Sequence, residues 1–134
     1  KLINEEFDII ISSPLKRAKH TAEIINEKKK LPLIIDDRIK ERNYGKLEGQ
    51  LFKKEYCNLN YDFESIDGES LDNYENRLKD FIQDIKGKYF DKKVLVVAHN
   101  GVISVLSCIL EEMPEDGNFE SRGIKNGEVK EFEI

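Results

Sequence analysis

The sequence predicts an α/β fold, an open and mostly parallel sheet with helices on both faces. Three observations carry that expectation. Two short apolar runs, within Phe7–Ser12 and at Val94–Val97, have the length and β-branched content of buried parallel strands. A helical pattern follows each run closely. The order strand, helix, strand over residues 7–36 also needs a crossover, the connection that joins parallel neighbours.

The elements follow in order. Phe7–Ser12 reads as the first strand, and Ser13-Pro14 as a helix start, with Ser as N-cap and Pro at the first helical position. The helix that follows carries Leu15, Ala18, Ala22, Ile24 and Ile25, and the Lys28-Lys29-Lys30 run suits the negative end of its dipole. Pro32 stops it, and Leu33–Asp36 is a second strand. The glycines of residues 41–49 indicate a turn-rich loop, and a short helix is expected over Leu51–Cys57. Ser70 caps a helix whose core face is Leu71, Tyr74, Leu78, Phe81, Ile82 and Ile85, with Gly87 at its end. Val94–Ala98 is a third strand and Val102–Leu110 a third helix. Asn126-Gly127 is a hairpin-type turn before an edge strand over residues 128–134.

Bulk composition narrows the function classes. The 134 residues suit one domain, residues 1–134, with a formal charge of -5 and no clustered basic face for nucleic acid. No window has the length of a membrane span, and no signal peptide is recognisable. Cys57 and Cys108 lack CxxC spacing, which argues against a zinc site or a disulfide framework, and Cys108 falls on an apolar helix face. The expectation is a reduced, cytoplasmic protein with neither a nucleic-acid nor a membrane partner.

Three side chains could carry chemistry. His99 ends the third strand, where open α/β sheets place their ligands. Arg17 lies in the first turn of a helix behind a strand, a ready anion site to which a guanidinium adds a bidentate fork. Glu41 follows the second strand. Each taken alone has a bland reading: a hydrogen-bonded structural histidine, a solvated arginine, a surface carboxylate. With parallel neighbours all three converge on one crevice, bringing cationic charge for a bound anion and a group able to transfer a proton.

Four segments in order resemble the histidine phosphatase superfamily, the family of cofactor-dependent phosphoglycerate mutase. Ser12-Ser-Pro-Leu-Lys-Arg-Ala-Lys-His-Thr-Ala22 resembles its SSPLxRAxxTA segment, and Glu41–Gly49 its ERxYGxxxG loop. Gly68-Glu69-Ser70 followed by Arg77 is similar to its GES…R helix start, and Val96–Gly101 to its second-histidine motif. The resemblance implies a phosphoglycerate mutase-like fold and catalytic roles for Arg17, which grips the transferring phosphate, Glu41, the proton donor, and His99, the second histidine of the pocket. It implies substrate contacts at Ser13, Arg42, Tyr44, Asn100 and Gly101, a small phosphorylated substrate, and chemistry with no metal and no cofactor.

The sequence departs from the family in one respect. No Arg-His pair occurs, so the RHG motif that carries the nucleophile has no counterpart, and His20, inside the first helix, reads as structural. The domain is therefore expected to be incomplete at its N-terminus, short of a central strand and inactive alone. An unfilled slot in its sheet would favour a homodimer or a complementing N-terminal segment. For the intact protein the expected activity is phosphomonoester hydrolysis through a phosphohistidine. Its rivals are a 2,3-bisphosphoglycerate-dependent mutase, suggested by Glu41-Arg42-Asn43-Tyr44-Gly45, and a non-catalytic anion-binding relative.

Overall fold

The computed structural model describes residues 5–43, 68–110 and 129–132. In chain order these form β1 (Ile9–Ser12), α1 (Lys16–Lys29), β2 (Leu33–Ile35), a 3-10 turn (Asp37–Ile39), α2 (Leu71–Lys88), β3 (Val94–Val97) and α3 (Asn100–Leu110). The strands lie in the order β2-β1-β3. Both pairings are parallel, with Ile11 opposite Ile34 on one side and opposite Val96 on the other. β1 is thus central among the described strands, and all four of its residues are buried.

Alternation along the strands sorts the side chains onto two faces. Ile10 and Leu95 pack with Ala22, Ile25 and Leu33 on the α1 side. Ile11, Val94 and Val96 join Tyr74, Leu78, Phe81, Val102 and Val105 on the side of α2 and α3. Helices therefore cover both faces, as expected. The two layers differ in thickness. α1 offers mainly Ala18 and Ala22 as fully buried residues, with Ile24 half exposed, whereas α2 buries Tyr74, Leu78, Phe81 and Ile85. Cys108 lies in the α3 core, the place its apolar pattern indicated.

Several boundaries differ from those read in the sequence. Ser13 and Pro14 do not start α1: Leu15 precedes the helix in an extended conformation, with no side-chain cap. The reason is that the Ser13 hydroxyl is engaged by Leu15 N and His99, so the chain makes a further step before winding. Asp36 leaves β2 because its carboxylate caps the following turn, accepting from Arg38 N at 2.9 Å. Gly87 does not end α2. The backbone ladder continues past it, Tyr89 N donating to Ile85 O at 2.9 Å, since an exposed glycine weakens a helix without breaking it. α3 begins at Asn100 rather than Val102, because the His99 carbonyl already accepts from Ile103 N. Residues 129–132 form no strand. The expected helix over 51–57 and the Asn126-Gly127 turn lie outside the described residues.

α2 is anchored to the β2 end of the sheet by charge as well as by its apolar face. Arg38 donates to Asp36 at 2.7 Å, Asp84 at 2.8 Å and Asp80 at 2.9 Å. Hydrogen bonds to Asp36 and Asp84 hold the Arg38 guanidinium charged well beyond its ordinary range. Burial opposes ionisation of Asp36, but the Arg38 hydrogen bonds outweigh it and keep that carboxyl below the usual carboxylate range.

Candidate active site

Three segments meet at the carboxyl ends of the strands. The register pairs Ser12 with Val97, so the residues just beyond them emerge side by side. Ser13 N donates to Val97 O at 3.0 Å. The Ser13 hydroxyl lies 2.8 Å from His99 Nε2, and both residues are buried. Leu15 N donates to the same Oγ at 3.2 Å, which fixes where the hydroxyl sits.

His99 is also the residue on which α3 starts. The first turn of this helix brings the positive end of its dipole to the edge of the crevice. Glu41 occupies the space above that turn. A Cβ built on Gly101 would lie 2.5 Å from Glu41 Oε1 and 3.0 Å from Oε2, so the carboxylate fits because position 101 has no side chain. Glu41 Oε1 accepts from Arg42 N at 3.0 Å and from the Tyr74 hydroxyl at 3.2 Å.

A layer of paired charge supports Glu41 from behind. Arg77 grips Glu69 in a fork, Nε to Oε2 at 2.7 Å and Nη2 to Oε1 at 2.9 Å. Its Nη1 donates to the Arg38 carbonyl at 2.6 Å, which joins the start of α2 to the turn after β2. Arg42 is 2% exposed and donates from Nε and Nη2 to the Glu69 carbonyl at 3.1 and 3.0 Å. The guanidiniums of Arg42 and Arg77 lie over the Tyr74 ring, 5.4 and 4.8 Å from its centroid. Burial works against the Glu69 charge, yet the Arg77 contacts keep its carboxyl below its ordinary range.

Burial is the main cause that lowers the His99 pKa from its usual value; Arg17 and Arg77 add to the effect and Glu41 opposes it. The neutral form of the ring is therefore favoured, with the Arg17 and Arg77 cations and the Glu41 carboxylate all close enough to act on it. A dianion placed there would reverse the balance and favour the imidazolium.

Of the residues singled out in the sequence, Ser13, Glu41, His99 and Gly101 come together directly. Arg17, exposed on the first turn of α1, reaches His99 through its charge. Asn100 is exposed at the first position of α3. Arg42 faces inward onto the Glu69 carbonyl. Tyr44 lies outside the described residues, and His20 is exposed on α1. Sequence reasoning did not assign a site role to Tyr74, Glu69 or Arg77. Tyr74 was placed only in the core, although a fully buried tyrosine hydroxyl requires a partner, and that requirement was the signal.

Fold and crevice together define a parallel α/β domain with its polar cluster at the carboxyl ends of the strands. The chain belongs to the histidine phosphatase superfamily, branch 1, whose family model matches residues 1–134. It is 43% identical over 103 residues to a protein of Bacillus subtilis named uncharacterized phosphatase PhoE, a match covering 75% of this chain and 51% of that one. It is 34% identical over 127 residues to the 2,3-bisphosphoglycerate-dependent phosphoglycerate mutase of Cytophaga hutchinsonii, covering 82% of this chain and 59% of the relative. The crystal structure of the α-ribazole phosphatase from Shigella flexneri superposes with a TM-score of 0.68 at 25% identity, over 83% of this chain and 60% of that one. The chain thus spans between half and three-fifths of the length of these proteins.

Proposed function

We propose that the complete protein hydrolyses small phosphomonoesters through a phosphohistidine, and that residues 1–134 supply, as a single domain, the phosphate-gripping and proton-donating half of its site. The observation that carries this reading is the meeting of Ser13, His99 and Glu41 at one strand end, in a chain of this family. Arg17, His99 and the first turn of α3 take the phosphoryl oxygens, where charge must be stabilised during transfer. Glu41 gives its proton to the leaving oxygen as the P–O bond breaks and the N–P bond forms on the nucleophilic histidine. Water then attacks phosphorus, its proton passes to Glu41, and inorganic phosphate leaves as the N–P bond breaks. Neither His20 nor His99 is placed to be that nucleophile: His20 is exposed on α1, and the His99 Nε2 is engaged with Ser13.

The mutase reading keeps some support from the Cytophaga relative and from Glu41-Arg42-Asn43-Tyr44-Gly45. The inward turn of Arg42 favours hydrolysis, since two of its guanidinium nitrogens serve the Glu69 carbonyl rather than a second phosphate. Named phosphatases among the relatives agree with it. A cytoplasmic location belongs to the same proposal. So does the expectation of no nucleic-acid and no membrane partner. No helix among the described residues is long and apolar enough to cross a membrane. The test is to incubate the full-length protein with alkyl phosphates and with phosphoglycerates and to trap the phosphoenzyme. Release of inorganic phosphate with an acid-labile, base-stable phosphoprotein is expected. Transfer between phosphoglycerates without release would establish the mutase, and neither reaction would leave an anion-binding relative.

A further inference from the structure

The hydroxyl of Tyr74 has an unusual address. The residue is fully buried on the apolar face of α2, where phenylalanine would fill the same volume, yet its hydroxyl reaches Glu41 Oε1, 33 residues away in sequence. Arg42 N donates to that same oxygen at 3.0 Å. Both donors converge on Oε1, and neither is placed on Oε2. A carboxyl group whose one oxygen accepts two hydrogen bonds carries its proton on the other. The Tyr74 ring is itself held, with the Arg42 and Arg77 guanidiniums over it and those two residues tied to Glu69. The phenol is therefore a fixed donor rather than a rotating one.

We propose that Tyr74 is a positioning residue for the proton donor: its hydroxyl, acting with Arg42 N, locks the Glu41 carboxyl in one rotamer and leaves Oε2 as the oxygen that delivers the proton. Gly101 completes the device by leaving room for both oxygens above α3. The inference rests on the reading of Glu41 as the donor to the leaving group. It adds that the direction of donation is set from α2, by a side chain that touches no substrate.

Leaving-group dependence tests it. A poor leaving group, such as an alkoxide, needs the proton; a dinitrophenolate departs without it. Kinetics of the full-length protein are compared for an alkyl phosphate and for 2,4-dinitrophenyl phosphate in Tyr74→Phe, Glu41→Gln and the double variant. Tyr74→Phe is expected to lower kcat/KM for the alkyl phosphate about tenfold, as a displaced catalytic group does, and to leave the dinitrophenyl ester within about twofold. A merely structural role would lower both substrates equally, and that result, or no change in either, overturns the proposal. In the double variant the selective loss must vanish against Glu41→Gln, because no proton remains to direct; its persistence also overturns the proposal. If Glu41→Gln itself shows no leaving-group dependence, Glu41 is not the donor, and the functional reading fails together with the inference built on it.

Discussion

Arginine charge stands at two places in the fold, and the balance of charge around it differs. At the outer edge a single guanidinium, Arg38, faces the three carboxylates of Asp36, Asp80 and Asp84, with Lys88 reaching Asp84 at 3.4 Å. At the strand ends, among the described residues, three guanidiniums, Arg17, Arg42 and Arg77, share the vicinity with two carboxylates, Glu41 and Glu69. The first cluster has its cationic charge consumed by protein acids and acts as a clasp. Among the described residues the second has more guanidiniums than carboxylates, next to a buried histidine and a helix N-terminus. An arginine makes an anion site only where the surrounding acids leave its charge uncancelled.

The largest expected effect separates the two clusters. Arg17→Ala in the full-length protein should lower kcat by about 100- to 1000-fold, the scale for losing one preorganised donor to a developing oxyanion. Arg38→Ala should leave kcat nearly intact and instead lower the melting temperature by a few degrees, roughly what exposed ion pairs in a domain of this size support. That loss should shrink in high salt. Steady-state kinetics and calorimetry on both variants would break the contrast if the two effects were exchanged.

Gly101→Ala sharpens the comparison further. The added methyl group meets the far end of the Glu41 side chain, and alanine suits a helix better than glycine, but moving the carboxylate breaks its hydrogen bonds with Arg42 N and the buried Tyr74 hydroxyl, so the fold should lose about 1 to 3 kcal/mol. The carboxylate must move aside, and hydrolysis of alkyl phosphates should fall about tenfold or more. Wild-type rates with the methyl group present would mean that Glu41 does not work from above α3.

The smallest effects are in pH dependence. His99 has a lowered pKa in the fold, so the unfolded chain takes up its proton first, and stability declines as the pH drops below about 6.5. Glu69 also has a lowered pKa; its contribution is present above about 4.5 and is lost on further acidification. Urea melts across pH 2 to 8 should show a first decline absent from His99→Asn and a second, shared with Asp36 and Asp84, that is smaller in Glu69→Gln.

Much of the fold was legible because β-branched runs and helical spacing state their periods openly: Ile9–Ile11 and Val94–Val97 gave two strands, and the spacing from Leu71 to Ile85 gave α2. The ends of elements were less legible, since they depend on partners distant in the chain. Ser13 looks like a helix cap until His99, 86 residues away, takes its hydroxyl. The proposed site follows the same rule. His99, Arg17 and Glu41 were visible from their places after strands, whereas Tyr74 sat on an apolar stripe and gave only its ring to the pattern. The 3-10 turn at Asp37–Ile39 was not foreseen, because its stability comes from Arg38 reaching across to α2.

The strand-end cluster, and not the Arg38 clasp, is proposed to receive a phosphoryl dianion. Nitrogen-15 NMR of the histidine rings in the full-length protein, titrated with inorganic phosphate and then vanadate, tests it directly. The His99 ring should shift and gain its proton at higher pH when the anion binds, while the signals of His20, exposed on α1, should not move. An unmoved His99, with perturbations gathering around Arg38 and Asp84 instead, would contradict it.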